Sequence, residues 1–216
     1  MDELVAQCIH FPPPLAGEVL AQRAEGGALM LDRRAAVNRL LIDRGDLLIV
    51  PGLGAPTYDV AAAGDHPLNF YLWGAMGGAA MIGLGLALAR PDRRIAVITG
   101  DGEMLMGLGS LATIGVKQPA NLGIVVLDNR HYGETGMQAS HTDAGIDLIG
   151  IAKSCRFAES RAALTERDVD ETRRLLHTGK APSFVQVQVA TDDVARVLPI
   201  RDGREIKRRF MEALTK

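Results

Sequence analysis

The sequence predicts an α/β fold, a doubly wound, mostly parallel sheet flanked by helices. Two observations carry this expectation. Short apolar runs rich in β-branched residues (47–51, 93–99, 121–129 and 183–190) alternate with stretches of helical periodicity, the pattern of a parallel sheet buried under helices on both faces. Composition agrees, because 47% of the 216 residues are hydrophobic yet only 4% are aromatic, with 24 glycines. Packing then rests on aliphatic side chains and close backbone approach.

The elements follow in order. Residues 1–29 form an N-terminal extension, with Pro12, Pro13 and Pro14 ahead of a helical AGEVLAQRAEGG that Gly26 and Gly27 end. It is expected to grip a neighbouring chain as an arm, and 30–216 is the folded domain. RRAAVNRLLIDRG (33–45) is helical, LLIVP (47–51) is the first strand, GLGAPT is a turn, and a short helix runs to Gly64. FYL (70–72) is predicted as a short strand leading to a buried helix over GAMGGAAMIGLGLALA. RRIAVIT is a strand that stops at Gly100, EMLMGLGSLATIGVK (103–117) is one helix, and NLGIVVLDN is the third strong strand. Gly133 to Asp143 is polar and glycine-bearing, hence a loop. DLIGIAKS is helical, RFAES (156–160) is a strand, and TERDVDETRRLLHTG is a helix capped by Thr165 and ended by Gly179. SFVQVQVA and a charged helix over 204–214 complete the chain.

Charge and cysteines narrow the function classes. Lys and Arg number 24 against 26 Asp and Glu, a formal charge of −2, which excludes a strongly basic nucleic-acid binder. Cys8 and Cys155 supply no CxxC pair for zinc or an iron–sulfur cluster, and the chain is expected to be cytoplasmic. The longest uncharged stretch, Gly74 to Ala89, is shorter than the roughly 20 residues of a membrane span. The methionines Met76, Met81, Met104 and Met106 default to core filling.

The chemistry gathers at two strand ends. Gly100-Asp101-Gly102 closes one strand and Asp128-Asn129 closes the next, with one helical stretch between. In a parallel sheet both sets emerge at the same edge, where a carboxylate and an amide oxygen can converge on a hard cation such as Mg²⁺. Gly102 is expected to open a helix starting at Glu103, so that free backbone N–H groups meet phosphate oxygens. The two features together predict a diphosphate ligand.

GDG followed across one helix by a DN or NN pair resembles the thiamine-diphosphate and Mg²⁺ motif of thiamin-dependent enzymes. YLWGAMGGAAMIGLGLALARPDRRIAVITGDGEMLMGLGSLATI and VVLDNRHYGETGMQASHT look like the pyrophosphate-binding (PP) domain of the sulfopyruvate and phosphonopyruvate decarboxylase group. The resemblance implies the thiamin-diphosphate-binding fold, with Asp101, the Asn129 side chain and the His131 carbonyl as Mg²⁺ ligands. It implies that Gly100, Gly102, Glu103 and Met104 offer backbone contacts to the diphosphate, and that the Gly52 to Gly54 turn approaches it. Gly74 and Ala75 would meet the aminopyrimidine, and Met76 would force the cofactor's bent shape. Decarboxylation of a 2-oxo acid is the implied reaction, with His131, Gln138 and His141 as candidates for moving protons.

Thiamin enzymes activate the aminopyrimidine with a glutamate of a pyrimidine-binding (PYR) domain, for which these residues leave no room. A separate PYR subunit is therefore expected, in a hetero-oligomer with paired PP subunits. Alternatives are a non-catalytic cofactor-binding scaffold, or a ligase or oxidoreductase subunit. Two departures from the group, Pro56-Thr57-Tyr58-Asp59 after the first glycine turn and Glu134 in the metal loop, remove a cation and add a carboxylate. They point to a 2-oxo acid less charged than a sulfonate or phosphonate.

Overall fold

The computed structural model describes residues 30–74, 76–191 and 194–215. The expected arm and Ala75 lie outside them. The elements in order are α1 (Arg33–Leu40), β1 (Leu48–Pro51), α2 (Ala55–Ala62), α3 (Ala79–Ala89), β2 (Ile95–Gly100), α4 (Asp101–Met106), α5 (Gly109–Lys117), β3 (Leu122–Asp128), β4 (His131–Tyr132), β5 (Gln138–Ala139), α6 (Leu148–Ser154), β6 (Glu159–Ala163), α7 (Glu166–Thr178), β7 (Ser183–Gln188) and α8 (Gly203–Leu214). The main sheet has the order β1-β2-β3-β7-β6, and every pairing in it is parallel.

Strand sequence explains why the sheet is covered on both faces. Along β3, Ile124 and Val126 join a core beneath α3, α5 and α6, while Val125 and Leu127 join one beneath α1, α2 and α7. Successive side chains point to opposite faces, so a strand buried twice must be apolar throughout. β3 is buried at all seven positions. Each large aliphatic side chain so buried contributes about 1.5–3 kcal/mol. Helix α8 serves both cores, Phe210 entering the first and Ile206 the second.

Five expectations are corrected. Phe70 to Leu72 form no strand; the chain makes one parallel bridge there, Asn69 to Ile49, and Tyr71 is instead anchored by its hydroxyl to Asp65 at 2.9 Å. The helix expected over 103–117 is two, because Gly107 packs its backbone against the Gly77 turn, leaving no space for a side chain, and the chain breaks there. The first of these begins at Asp101, with Gly100 at its N-cap, rather than at Glu103. β6 starts at Glu159, three residues later than expected, because Arg156 adopts a left-handed φ of 65° in the turn after α6. The polar loop holds a small antiparallel hairpin, β4 with β5, closed by a 3₁₀ turn at Gly133–Thr135.

The buried helix is only half buried. In α3, Ala80, Leu84 and Ala87 face the sheet, whereas Met81 and Leu88 are 44% and 52% exposed. Met76 and Met106 are exposed as well, so of the four methionines only Met104 fills the core. Among the described residues no helix is long and apolar enough to cross a membrane.

Candidate active site

The carboxyl ends of β1, β2, β3 and β7 open onto a cavity of about 380 Å³, a size suited to a small ligand or cofactor. Gly100, Asp101, Gly102 and Glu103 line it from the end of β2; Asn129, His131 and Tyr132 from the end of β3; Leu53 and Ala55 from the end of β1; and Thr191 and Arg196 from the chain after β7. The β2–β3 register pairs Gly100 with Leu127, which sets the GDG and DN motifs side by side as the sequence predicts.

Two carboxylates are buried here side by side. Asp101 is 2% and Asp128 1% exposed. Ser140 Oγ donates to Asp101 Oδ2 at 2.5 Å, and Gln186 Nε2 donates to Asp128 Oδ2 at 2.5 Å. Thr142 Oγ1 lies 2.9 Å from Asp128 Oδ1 and 3.3 Å from Asp101 Oδ2, and its single proton serves one of them at a time. Burial first, and the neighbouring Asp128 second, push the Asp101 carboxyl up to about 6. A carboxylate raised by desolvation and like charge is one that a divalent cation would relieve.

The other expected Mg²⁺ ligands stand beside it. Arg130 takes a left-handed φ of 63°, a costly conformation for a residue with a side chain, and so turns His131 back toward Asn129. The Asn129 Oδ1 accepts the His131 N–H at 3.0 Å and keeps a second lone pair. Among the described residues no three His, Cys, Asp or Glu side chains cluster as metal ligands. The expected donor set contains only one such side chain, Asp101, beside an amide oxygen and a backbone carbonyl. All-oxygen donors of that kind, with room left for phosphate oxygens, fit Mg²⁺.

The backbone turns complete the cavity. A Cβ at Gly102 would come within 2.6 Å of the Tyr132 ring, so only glycine allows that ring to lie across the motif. Glu103 is 5% exposed and wedged beside the Gly52 turn; its Oε2 accepts from Thr99 Oγ1 at 2.8 Å and its Oε1 has no partner. Burial raises its pKa, although backbone N–H groups of Ala79, Leu53 and Gly77 face the carboxyl.

Residues 53–187 match the thiamine pyrophosphate enzyme, C-terminal TPP binding domain. The chain belongs to this family. It is 39% identical to the sulfopyruvate decarboxylase subunit beta of Methanothermobacter thermautotrophicus, over 85% of this chain and 96% of the relative. It is 34% identical to the phosphonopyruvate decarboxylase of Streptomyces viridochromogenes, over 94% of this chain but only 52% of that one. Among solved structures, benzoylformate decarboxylase from Polynucleobacter necessarius superposes with a TM-score of 0.63 at 16% identity, covering 79% of this chain and 36% of that one. The chain thus spans about a third of the solved chain, a likeness of fold.

In this thiamine pyrophosphate enzyme domain the predicted residues divide by position. Met76, Gly100, Asp101, Gly102, Glu103, Asn129 and His131 all line this cavity. Gly52, Gly54 and Gly74 lie in the turns around it, Gly54 and Gly74 with left-handed φ of 82° and 73°, while Met104 is buried in the core. Of the three proton-transfer candidates only His131 reaches the cavity. Gln138 bonds within the hairpin to Thr135, and His141 accepts or donates at 2.5 Å to the Tyr132 hydroxyl.

Sequence reasoning missed Tyr132, Ser140 and Thr142, which are single polar residues in a stretch without periodicity. It also missed Arg33 and Arg196. Arg33 lies at the start of α1, and its Nε donates to Asp59 Oδ2 at 2.5 Å in a buried pair. Arg196 lies in an aperiodic segment far from either motif. The expected loss of a cation beside Tyr58 thus has a counterweight: the Arg196 guanidinium stands 5.5 Å over the Tyr58 ring.

Proposed function

We propose that this chain is the PP subunit of a heteromeric, Mg²⁺-dependent thiamine-diphosphate enzyme that decarboxylates a 2-oxo acid or performs a related carbon–carbon cleavage. The observation that carries the proposal is the pair of buried carboxylates, Asp101 pushed up by burial and by Asp128, at the GDG turn beside Asn129 and His131. Asp101, the Asn129 side chain and the His131 carbonyl would hold Mg²⁺; Gly100, Gly102, Glu103 and Met104 would offer backbone contacts to the diphosphate, flanked by Gly52 and Gly54. Gly74 would meet the aminopyrimidine, and Met76, which lines the cavity, would force the cofactor's bent shape. Bound thiamine diphosphate would supply the electron sink that lets carbon dioxide depart. The chain's own tasks are to orient that group, exclude water and, at His131, to hold or deliver a proton.

A separate PYR-type subunit carrying the activating glutamate completes this reading. Two facts support it: the relative named as a beta subunit matches along 96% of its length, and Met76, Met81, Leu88, Met106 and Val116 leave apolar surface open around α3, α4 and α5. The test is carbon dioxide release across a 2-oxo-acid panel by the chain with and without its partner, in Mg²⁺ and cofactor. Release that requires both chains is expected. Full-rate release by this chain alone would overturn the partner, and no release by both together would overturn the decarboxylase in favour of a binding scaffold.

A further inference from the structure

We infer that Arg196 is the specificity-determining cation of the cavity, and that it recognises a 2-oxo acid whose far end carries a second negative charge, as a sulfonate, phosphonate or carboxylate. The inference rests on the decarboxylase reading above and names the substrate class of that site. Among the described residues, two guanidinium groups line the cavity, those of Arg33 and Arg196. Arg33 is 9% exposed and held at 2.5 Å by the fully buried Asp59. Arg196 is 62% exposed and, among the described residues, pairs loosely with Glu134 at 3.9 Å, a pair worth little against a better anion.

The backbone on either side of it is nevertheless held. Thr191 Oγ1 donates to the Asn129 carbonyl at 3.2 Å, Arg34 Nη2 to the Ala195 carbonyl at 2.8 Å, and Trp73 Nε1 to the Ile200 carbonyl at 3.1 Å. The guanidinium lies against the Tyr58 face, which holds a planar cation without taking up its N–H donors. The guanidinium lines the cavity, where a planar fork suits an oxyanion. Glu134 is then a placeholder for the substrate's anion and competes with it. Its side chain leans on Gly54, where a Cβ would stand 2.6 Å from its Cγ. The inferred substrate is more charged than the Tyr58 and Glu134 loops alone predict, because Arg196 lies outside both.

An anion at Arg196 has two sources, the substrate's far end or the cofactor's diphosphate, and the experiment separates them. The assembled enzyme with Mg²⁺ is titrated with thiamine diphosphate and then, at saturating cofactor, with sulfoacetate as an unreactive dianion. Arg196→Gln is expected to weaken sulfoacetate about 10- to 100-fold, the loss of charge-assisted hydrogen bonds, while the cofactor's Kd moves less than about twofold, within the reach of an exposed charge. Glu134→Gln is expected to tighten sulfoacetate about two- to fivefold by releasing Arg196. In turnover, the kcat/KM ratio of sulfopyruvate to 2-oxobutanoate falls in the first variant and rises in the second. Equal sulfoacetate affinity in wild type and Arg196→Gln overturns the inference, as does a fall in cofactor affinity matching that of sulfoacetate. If the wild type releases no carbon dioxide from either acid, the decarboxylase reading fails, and the sulfoacetate titration still decides the role of Arg196.

Discussion

Helices α3 and α7 lie on opposite faces of the same sheet and are built on opposite plans. Helix α7 buries Val169, Thr172 and Leu176 and turns charged side chains outward, with a reciprocal capping box between Thr165 and Asp168 at its start. It is finished as it stands, an amphipathic helix with a polar outer face. Helix α3 carries no charge in eleven residues, and Met81 and Leu88 stand open to water opposite its buried side. A helix apolar all round belongs inside something. The contrast teaches that one face of this domain covers its own apolar side chains, while the other leaves Met81 and Leu88 exposed, the surface that the proposed partner would cover.

The largest effect should come from breaking that face. Leu88→Glu is expected to abolish assembly with the PYR-type subunit, read by size-exclusion chromatography with scattering, while the thermal midpoint of the chain alone changes little because Leu88 is 52% exposed. If assembly survives the charge, α3 is not the partner's face. The completed face should respond the other way. Leu176, 2% exposed and packed where Gly123 leaves room for it, should cost about 2–5 kcal/mol of unfolding free energy as Leu176→Ala, measured by urea denaturation, with assembly at low temperature retained. A loss of no more than about 0.5 kcal/mol, the scale of a surface substitution, would show α7 to be less essential than its burial implies.

Much of this was legible in the sequence, for physical reasons that can be named. β2, β3 and β7 are buried on both faces, so their apolar runs needed no context, and the Thr165 and Gly179 boundaries of α7 are local capping chemistry. The GDG and DN motifs were legible because a parallel sheet places successive strand ends at one edge. What escaped depends on tertiary contact. The break at Gly107 exists because Gly77 lies against it, and the anchoring of Tyr71 by Asp65 replaces a strand with a side-chain tether. Arg196 escaped because nothing in its neighbours in sequence says that Tyr58 will lie beneath it. The exposed side of α3 escaped because an uncharged helix reads the same whether its cover is its own chain or another.

The central claim is that the edge holding Asp101, Asn129 and His131 binds Mg²⁺ and the diphosphate of thiamine diphosphate. Equilibrium titration of thiamine diphosphate into the assembled protein, with and without Mg²⁺, tests it most directly in wild type and Asp101→Ala. The account predicts binding that needs Mg²⁺ in the wild type and falls by about 100-fold or more in the variant, the scale of removing a charged ligand from a buried site. Binding indifferent to Mg²⁺, or unchanged in Asp101→Ala, would contradict it.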